Sequence, residues 1–417
     1  MDEFSTNIPP MIKPHVVLAE PRGFCAGVES AVKSLAWMVV LHRPPVVCVH
    51  DVVHNEDVVA RFERLGVRFV DDPDEAPPGR PLVLSAHGSA PDTVERAARR
   101  ASIVVDAVCP LVTKVHHEIR TRARVGGSVV YVGHPGHDEA VGAIAQAPDS
   151  VVAVATAEDV TSAAVPDGAS VAVLAQTTLA HDAWGDVVAA ARHRFGDVWL
   201  PARDDLCFAT TNRQAAARAL AERCDAVVVV GSATSSNTRA LADTARRAGC
   251  PVVVQVAGPG DLPADLLRTV STARPGIVGV TAGASTPAHA VDHVVNALRP
   301  GQVDRLEVTR EDEYFPLARP VRQRLRELAR QGRLAPVLHD AFVNDRTTRA
   351  DDLLARIEDG GLVAALDPAP TVPLTRDTPA IRAPDAAAVA GPGRARPSGP
   401  DRALRPTDVG QLDRRAS

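Results

Sequence analysis

From about residue 14 to residue 300 the chain alternates short β-branched runs with stretches whose apolar positions recur at helical spacing. This is the pattern of an α/β protein with mostly parallel sheets. Beyond residue 300 the strand signal stops. Helices are expected over about 319–332 and 347–358, followed by a segment rich in Pro, Ala and Arg with too few large apolar residues to offset chain entropy. The expected organisation is a flexible leader over 1–13, lobes over 14–105, 106–200 and 201–300, an extension over 301–335 packing on the core, and a mostly disordered tail over 336–417.

The lobes emerge from an internal threefold repetition. Each copy opens with a β-run that ends at a cysteine and enters a helix: HVVLAEPRGFCAGVESAVKSL at Cys25, SIVVDAVCPLVTKVHHEI at Cys109 and DVWLPARDDLCFATTNRQAAARAL at Cys207. In the unit that follows, His54 lies 29 residues after its cysteine, His137 lies 28 after and Ser236 lies 29 after. A third unit ends with His87, Thr177 and Ser285 at its strand ends. Ligands of open α/β sheets sit beyond the carboxyl ends of the strands, where helix N-termini point, and all nine residues fall there. Three lobes packed around a pseudo-threefold axis, a trefoil, would bring the cysteines to one point.

Composition narrows the chemistry. The formal net charge is -5 and aromatics make up only 3%, which argues against a nucleic-acid partner. No apolar run approaches the roughly 20 residues that span a bilayer, and no signal-peptide core opens the chain, so a cytoplasmic protein without a membrane partner is expected. Six cysteines in 417 residues are too sparse for a disulfide scaffold, which turns attention to metal or redox chemistry. Cys48, Cys224 and Cys250 read as small buried hydrophobes. Cys25, Cys109 and Cys207 share one repeat position and read as ligands.

Three thiolates without an obvious fourth partner suit an iron-sulfur cluster that leaves one iron open to substrate. Structural zinc is the competing metal, although such sites usually close with four ligands and this chain has no C-x-x-C pair. His54, His87 and His137, with Ser235, Ser236 and Asn237 at a helix start and Ser285, are donors suited to a phosphate or diphosphate. Glu139, two residues after His137, is the candidate proton source, with Thr177 to orient it. A zinc-stabilised phosphometabolite sensor and a hydrolase with Cys25 as nucleophile remain as other classes.

In order along the chain, PRGFCAGV, VVHN, SAHG, CPLVTKVH, GHPGHDEAVG, QTT, DDLCFATTNRQ, VVGSATSSNT and VGVTAGASTP resemble the 4-hydroxy-3-methylbut-2-enyl diphosphate reductases. That iron-sulfur family closes the methylerythritol phosphate route to isoprenoids. The resemblance covers about residues 14–300 and reaches EYFPLARPVR near Phe315. It implies a trefoil around a 4Fe-4S cluster on Cys25, Cys109 and Cys207, with the substrate's hydroxyl oxygen on the open iron. It further implies a diphosphate held by His54, His87, His137, Ser235, Ser236, Asn237 and Ser285, and Glu139 as proton donor working with Thr177. The products would be isopentenyl and dimethylallyl diphosphate, with electrons from a ferredoxin or flavodoxin; the chain has no G-x-G-x-x-G nicotinamide fingerprint. Two positions depart from the family's pattern. Asp138 stands between His137 and Glu139 where proline is usual, and Glu56 follows VVHN where basic or polar residues are common.

Overall fold

Strands and helices alternate along the chain in a computed structural model that describes residues 13–201, 206–270 and 276–360. Apart from Lys13, the expected leader lies outside these residues, as does everything expected of the tail beyond residue 360. Strand β1 (His15–Glu20) runs into Cys25 and helix α1 (Ala26–Leu41). There follow β2 (Val46–Val49), α2 (Glu56–Arg64), β3 (Val67–Val70), β4 (Leu82–Leu84), α3 (Pro91–Arg100) and β5 (Val104–Asp106). Cys109 then opens a second round: α4 (Pro110–Arg124), β6 (Ser128–Val132), α5 (Asp138–Ile144), β7 (Val151–Val154), α6 (Ala157–Ser162), β8 (Val171–Ala175), α7 (His181–Phe195) and β9 (Val198–Trp199). Cys207 opens the third: α8 (Phe208–Ala221), β10 (Ala226–Val230), α9 (Ser236–Arg247), β11 (Val252–Val256), α10 (Leu266–Val270), β12 (Ile277–Ala282) and α11 (Ala288–Ala297). Strand β13 (Gln302–Glu307) and helices α12 (Arg319–Arg330), α13 (Pro336–Val343) and α14 (Ala350–Glu358) complete the described chain.

The strands form three all-parallel sheets with one repeated order: β3-β2-β4-β5, β7-β6-β8-β9 and β11-β10-β12-β1-β13. Parallel sheets need both faces covered, which is why the inner strands read as continuous apolar runs. In β10, for example, Ala226, Val228 and Val230 enter one core while Val227 and Val229 enter another. In each sheet the fourth strand is the one that leads into the next cysteine. Strand β5 precedes Cys109, β9 precedes Cys207, and β1 closes the cycle by pairing Leu18 with Val280 of the third sheet. The expected first-lobe boundary at residue 14 is therefore displaced: β1 belongs to the third sheet, and the first lobe's own structure begins with α1. Strand pairing, which sequence spacing does not encode, decides this.

The boundary expected at 336 also moves. Helices α12 and α14 occur where two helices are expected, and α13 and α14 are packed beyond residue 335. Their buried Leu338, Ala341, Leu353, Leu354 and Ile357 join one core with Leu35, Trp37 and Met38 of α1. Helix α1 is apolar nearly all round because it lies between the first sheet and these C-terminal helices. Its buried Lys33 is held by Asp345: Nζ donates to the backbone oxygen at 2.7 Å and lies 3.2 Å from Oδ1. Among the described residues no helix is long and apolar enough to cross a membrane.

Candidate functional site

Each of Cys25, Cys109 and Cys207 is the N-cap of its helix, in extended backbone geometry. One contact recurs in all three repeats: the cysteine N–H donates to a carbonyl just past the third strand of a sheet. Cys25 meets Ala284 at 3.2 Å, Cys109 meets Ala86 at 3.0 Å and Cys207 meets Thr177 at 3.1 Å. These contacts aim the three thiols into one cavity. Gly27, in the first turn of α1, leaves them room, since a Cβ there would stand 2.8 Å from Cys109 Sγ and 3.8 Å from Cys25 Sγ. Burial pushes the Cys109 thiol up to about 12, and the neighbouring Cys25 adds to this; the Leu111 and Val112 amides at the start of α4 act the other way. Burial followed by both other thiols raises Cys207 as well. Thiolates at this point need a cation to neutralise them. Cys48, Cys224 and Cys250 are buried in the cores, as expected of hydrophobes.

Three imidazoles line the same cavity. His54 follows β2, His87 follows β4, and His137 caps α5, where its Nδ1 accepts the Glu139 N–H at 3.1 Å. The His54 and His87 rings are stacked with centroids 3.9 Å apart, and His137 meets His54 edge-on at 4.7 Å. Burial is the main cause that lowers all three, outweighing Asp138 and Asp51 at His54, reinforced by neighbouring histidines at His87, and bringing His137 to about 3. Neutral imidazoles are donors and acceptors at once, and also metal ligands.

The third lobe supplies hydroxyl and amide groups. Ser235 caps α9 by accepting the Thr238 N–H at 3.3 Å. Asn237 Oδ1 accepts the Ala284 N–H at 2.9 Å, and Ser285 Oγ donates to the His54 carbonyl at 2.9 Å, which ties the third lobe to the first. Ser236 Oγ lies 3.3 Å from His134 Nδ1. Glu139 is 3% exposed, and both its oxygens are engaged: Oε1 accepts the Thr177 N–H at 2.7 Å and Oε2 accepts the Thr177 hydroxyl at 3.1 Å. All twelve residues singled out in the sequence line this one cavity.

Sequence reasoning passed over four residues. Gly27 was hidden inside the PRGFCAGV motif, where only the absent side chain matters. His134, which the repeat does not single out, spans Ser236 and Gln176, its backbone N–H donating to Gln176 Oε1 at 2.9 Å. Arg213, 1% exposed and in the second turn of α8, donates to the carbonyls of Gly23 at 2.8 Å and Phe24 at 3.3 Å and pairs with Glu311 at 2.8 Å. It thereby ties the loop carrying Cys25 to the helix begun by Cys207. Asp138, noticed only as a departure, points its carboxylate at His50, His54 and His87.

Comparison with known proteins adds a lineage to this geometry. A sequence model described as LytB protein matches residues 16–299. The chain is similar to 4-hydroxy-3-methylbut-2-enyl diphosphate reductase 2 of Mycobacterium bovis, with 44% identity over 288 residues, 68% of this chain and 86% of that protein. To the 4-hydroxy-3-methylbut-2-enyl diphosphate reductase of Acidothermus cellulolyticus it is 41% identical over 342 residues, covering 82% of this chain and 98% of the relative. Among solved structures it resembles the E-1-hydroxy-2-methyl-but-2-enyl-4-diphosphate reductase from Plasmodium falciparum, with a TM-score of 0.72 and 28% identity over 76% of this chain and 99% of that one.

Proposed function

The chain belongs to the LytB protein family, and from that premise we propose that it reductively dehydroxylates (E)-4-hydroxy-3-methylbut-2-enyl diphosphate to isopentenyl and dimethylallyl diphosphate, the last step of the non-mevalonate route. The carbon–oxygen bond breaks, two electrons and two protons enter, and water leaves with the alkenyl diphosphate. The observation that carries this reading is the meeting of Cys25, Cys109 and Cys207 in one cavity with a buried carboxylate and three imidazoles.

The donor set fits a 4Fe-4S cluster: three thiols converge, and no fourth cysteine lines the cavity. Cys25, Cys109 and Cys207 would hold the cluster, which when bound supplies electrons and one iron open to substrate. The remaining work belongs to the chain. His54, His87, His137, Ser235, Ser236, Asn237 and Ser285 bind the diphosphate end, and neutral imidazole and hydroxyl donors suit its several acceptor oxygens. Glu139 holds the proton for the departing oxygen at Oε2, and the Thr177 hydroxyl beside that atom orients it. The Thr177 N–H on Oε1 fixes the carboxyl plane, so the proton is presented from one side. The electron donor is of ferredoxin or flavodoxin type.

Anaerobically purified protein is expected to be brown, to carry iron, and to turn over the hydroxylated C5 diphosphate with reduced methyl viologen. Colourless protein with stoichiometric zinc, or iron at parental occupancy in Cys109→Ser, would count against the proposal.

A further inference from the structure

We propose that His54, His87 and Asp138 form a second metal site, for a divalent transition ion such as zinc, at the rim of the cavity. Asp138 Oδ2 lies 4.0 Å from His54 Nε2 and 3.8 Å from His87 Nδ1. Both separations are too long for hydrogen bonds. They match two ligands of one zinc ion, which at about 2.1 Å from each donor leaves them about 3 to 4 Å apart. All three ligand atoms lie within 4.8 Å of one another.

The nitrogens concerned carry the argument further. His54 Nε2 and His87 Nδ1 are each buried from solvent and have no hydrogen-bond partner. A buried polar atom left unpaired is costly, and here two such atoms face the same carboxylate oxygen across a gap that one ion would fill. The stacking of the two rings holds their nitrogens at that gap without help from the ion. On its other side the carboxylate faces His50, whose Nδ1 is 3.9 Å from Oδ1.

Two imidazoles and one carboxylate select a borderline transition ion over magnesium or calcium, which prefer oxygen ligands throughout. Three protein ligands leave coordination positions for water or an anionic oxygen, as in open zinc sites. His54 and His87 are also assigned to the diphosphate above, whose oxygens would fill the ion's open positions; uptake of metal alone reads the ion site without turnover.

The test is equilibrium dialysis of the anaerobic holoenzyme against zinc, with metal analysis of parent and Asp138→Asn. The parent is expected to take up one zinc per chain with its iron content unchanged, and the variant to bind at least about tenfold more weakly, since even outer partners of metal ligands cost 10- to 100-fold. Equal uptake by both proteins, or uptake only as iron is lost, overturns the site. X-ray absorption at the zinc edge of the parent gives a readout independent of any substitution. Nitrogen and oxygen neighbours at about 2.0–2.2 Å are expected, whereas sulfur at about 2.3 Å places zinc on the cysteines and ends the proposal.

Discussion

Glu139 is almost wholly buried, and in the proposed reaction its proton would be delivered into the cavity beside Thr177. Its two oxygens are distinguished by their donors, one backbone and one hydroxyl. Glu139→Gln keeps the shape and loses the transferable proton. Turnover is expected to fall about 10²-fold or more while colour and substrate binding persist. Steady-state kinetics beside the visible spectrum check this, and near-parental turnover would remove Glu139 from the chemistry. At this scale the sequence was most legible: Cys25, Cys109, Cys207 and the three histidines, which the fold gathers in one cavity, stand out by position in a repeat, and Glu139 by its place two residues after His137. Gly27 and His134 were not legible, since a missing Cβ and a ring held by Gln176 are properties of neighbours brought together only by folding.

Helix α14 is the element whose role most changes the picture of the chain. Besides its buried leucines it carries Asp351 and Glu358, both bonded by Arg61 of α2, and Asp351 also accepts from His289 of α11 at 3.0 Å. His289 reaches Asp57 of α2 through its other nitrogen at 2.8 Å. Truncation after Ala335 exposes the α1 face and is expected to lower the melting temperature strongly, each lost leucine being worth about 2–5 kcal/mol. Truncation after Gly360 is expected to leave stability and turnover near the parent's, and thermal denaturation of both forms separates the cases.

The hydrogen bonds to Asp351 and then Asp57 raise His289 from 6.5 to about 9. A base raised on folding stabilises fully below its unfolded value, so this contribution is present below about pH 6.5 and lost as pH rises through about 9. Melting temperature plotted against pH should fall less steeply over that window in His289→Gln. An identical slope would mean that the clamp is silent. The helical period of α14 could be read from ADDLLARIE, but its partner surface could not: α1 lies some three hundred residues earlier.

Across the whole molecule, three sheets of one topology are linked in a cycle, each finished by the strand that delivers the next cysteine. The repeat itself was visible in the sequence. The offset between repeat and sheet was not, because a strand's own residues say it is buried on both faces but not beside which neighbours. Strand β1 lies between β12 and β13, while outer β13, exposed and carrying Asp304, Arg305 and Glu307, presents a charged edge. A variant lacking residues 1–20 loses the inner strand, which leaves β13 without a partner and one edge of β12 open. It is expected to aggregate and retain no iron, as size-exclusion chromatography and metal analysis will show, and a monodisperse, iron-loaded product would contradict this.

The placement of β1 also sets a timetable for the nascent chain. Strand β1 finds its neighbours only after residues 277–282 and 302–307 have been synthesised. Until then the loop carrying Cys25 is untethered, whereas Cys109 and Cys207 can be anchored by lobes already made. If the three thiols hold a cluster as proposed, its third ligand is tethered only once residues 302–307 are in place, and a polypeptide stalled before them would present two anchored thiols with no third.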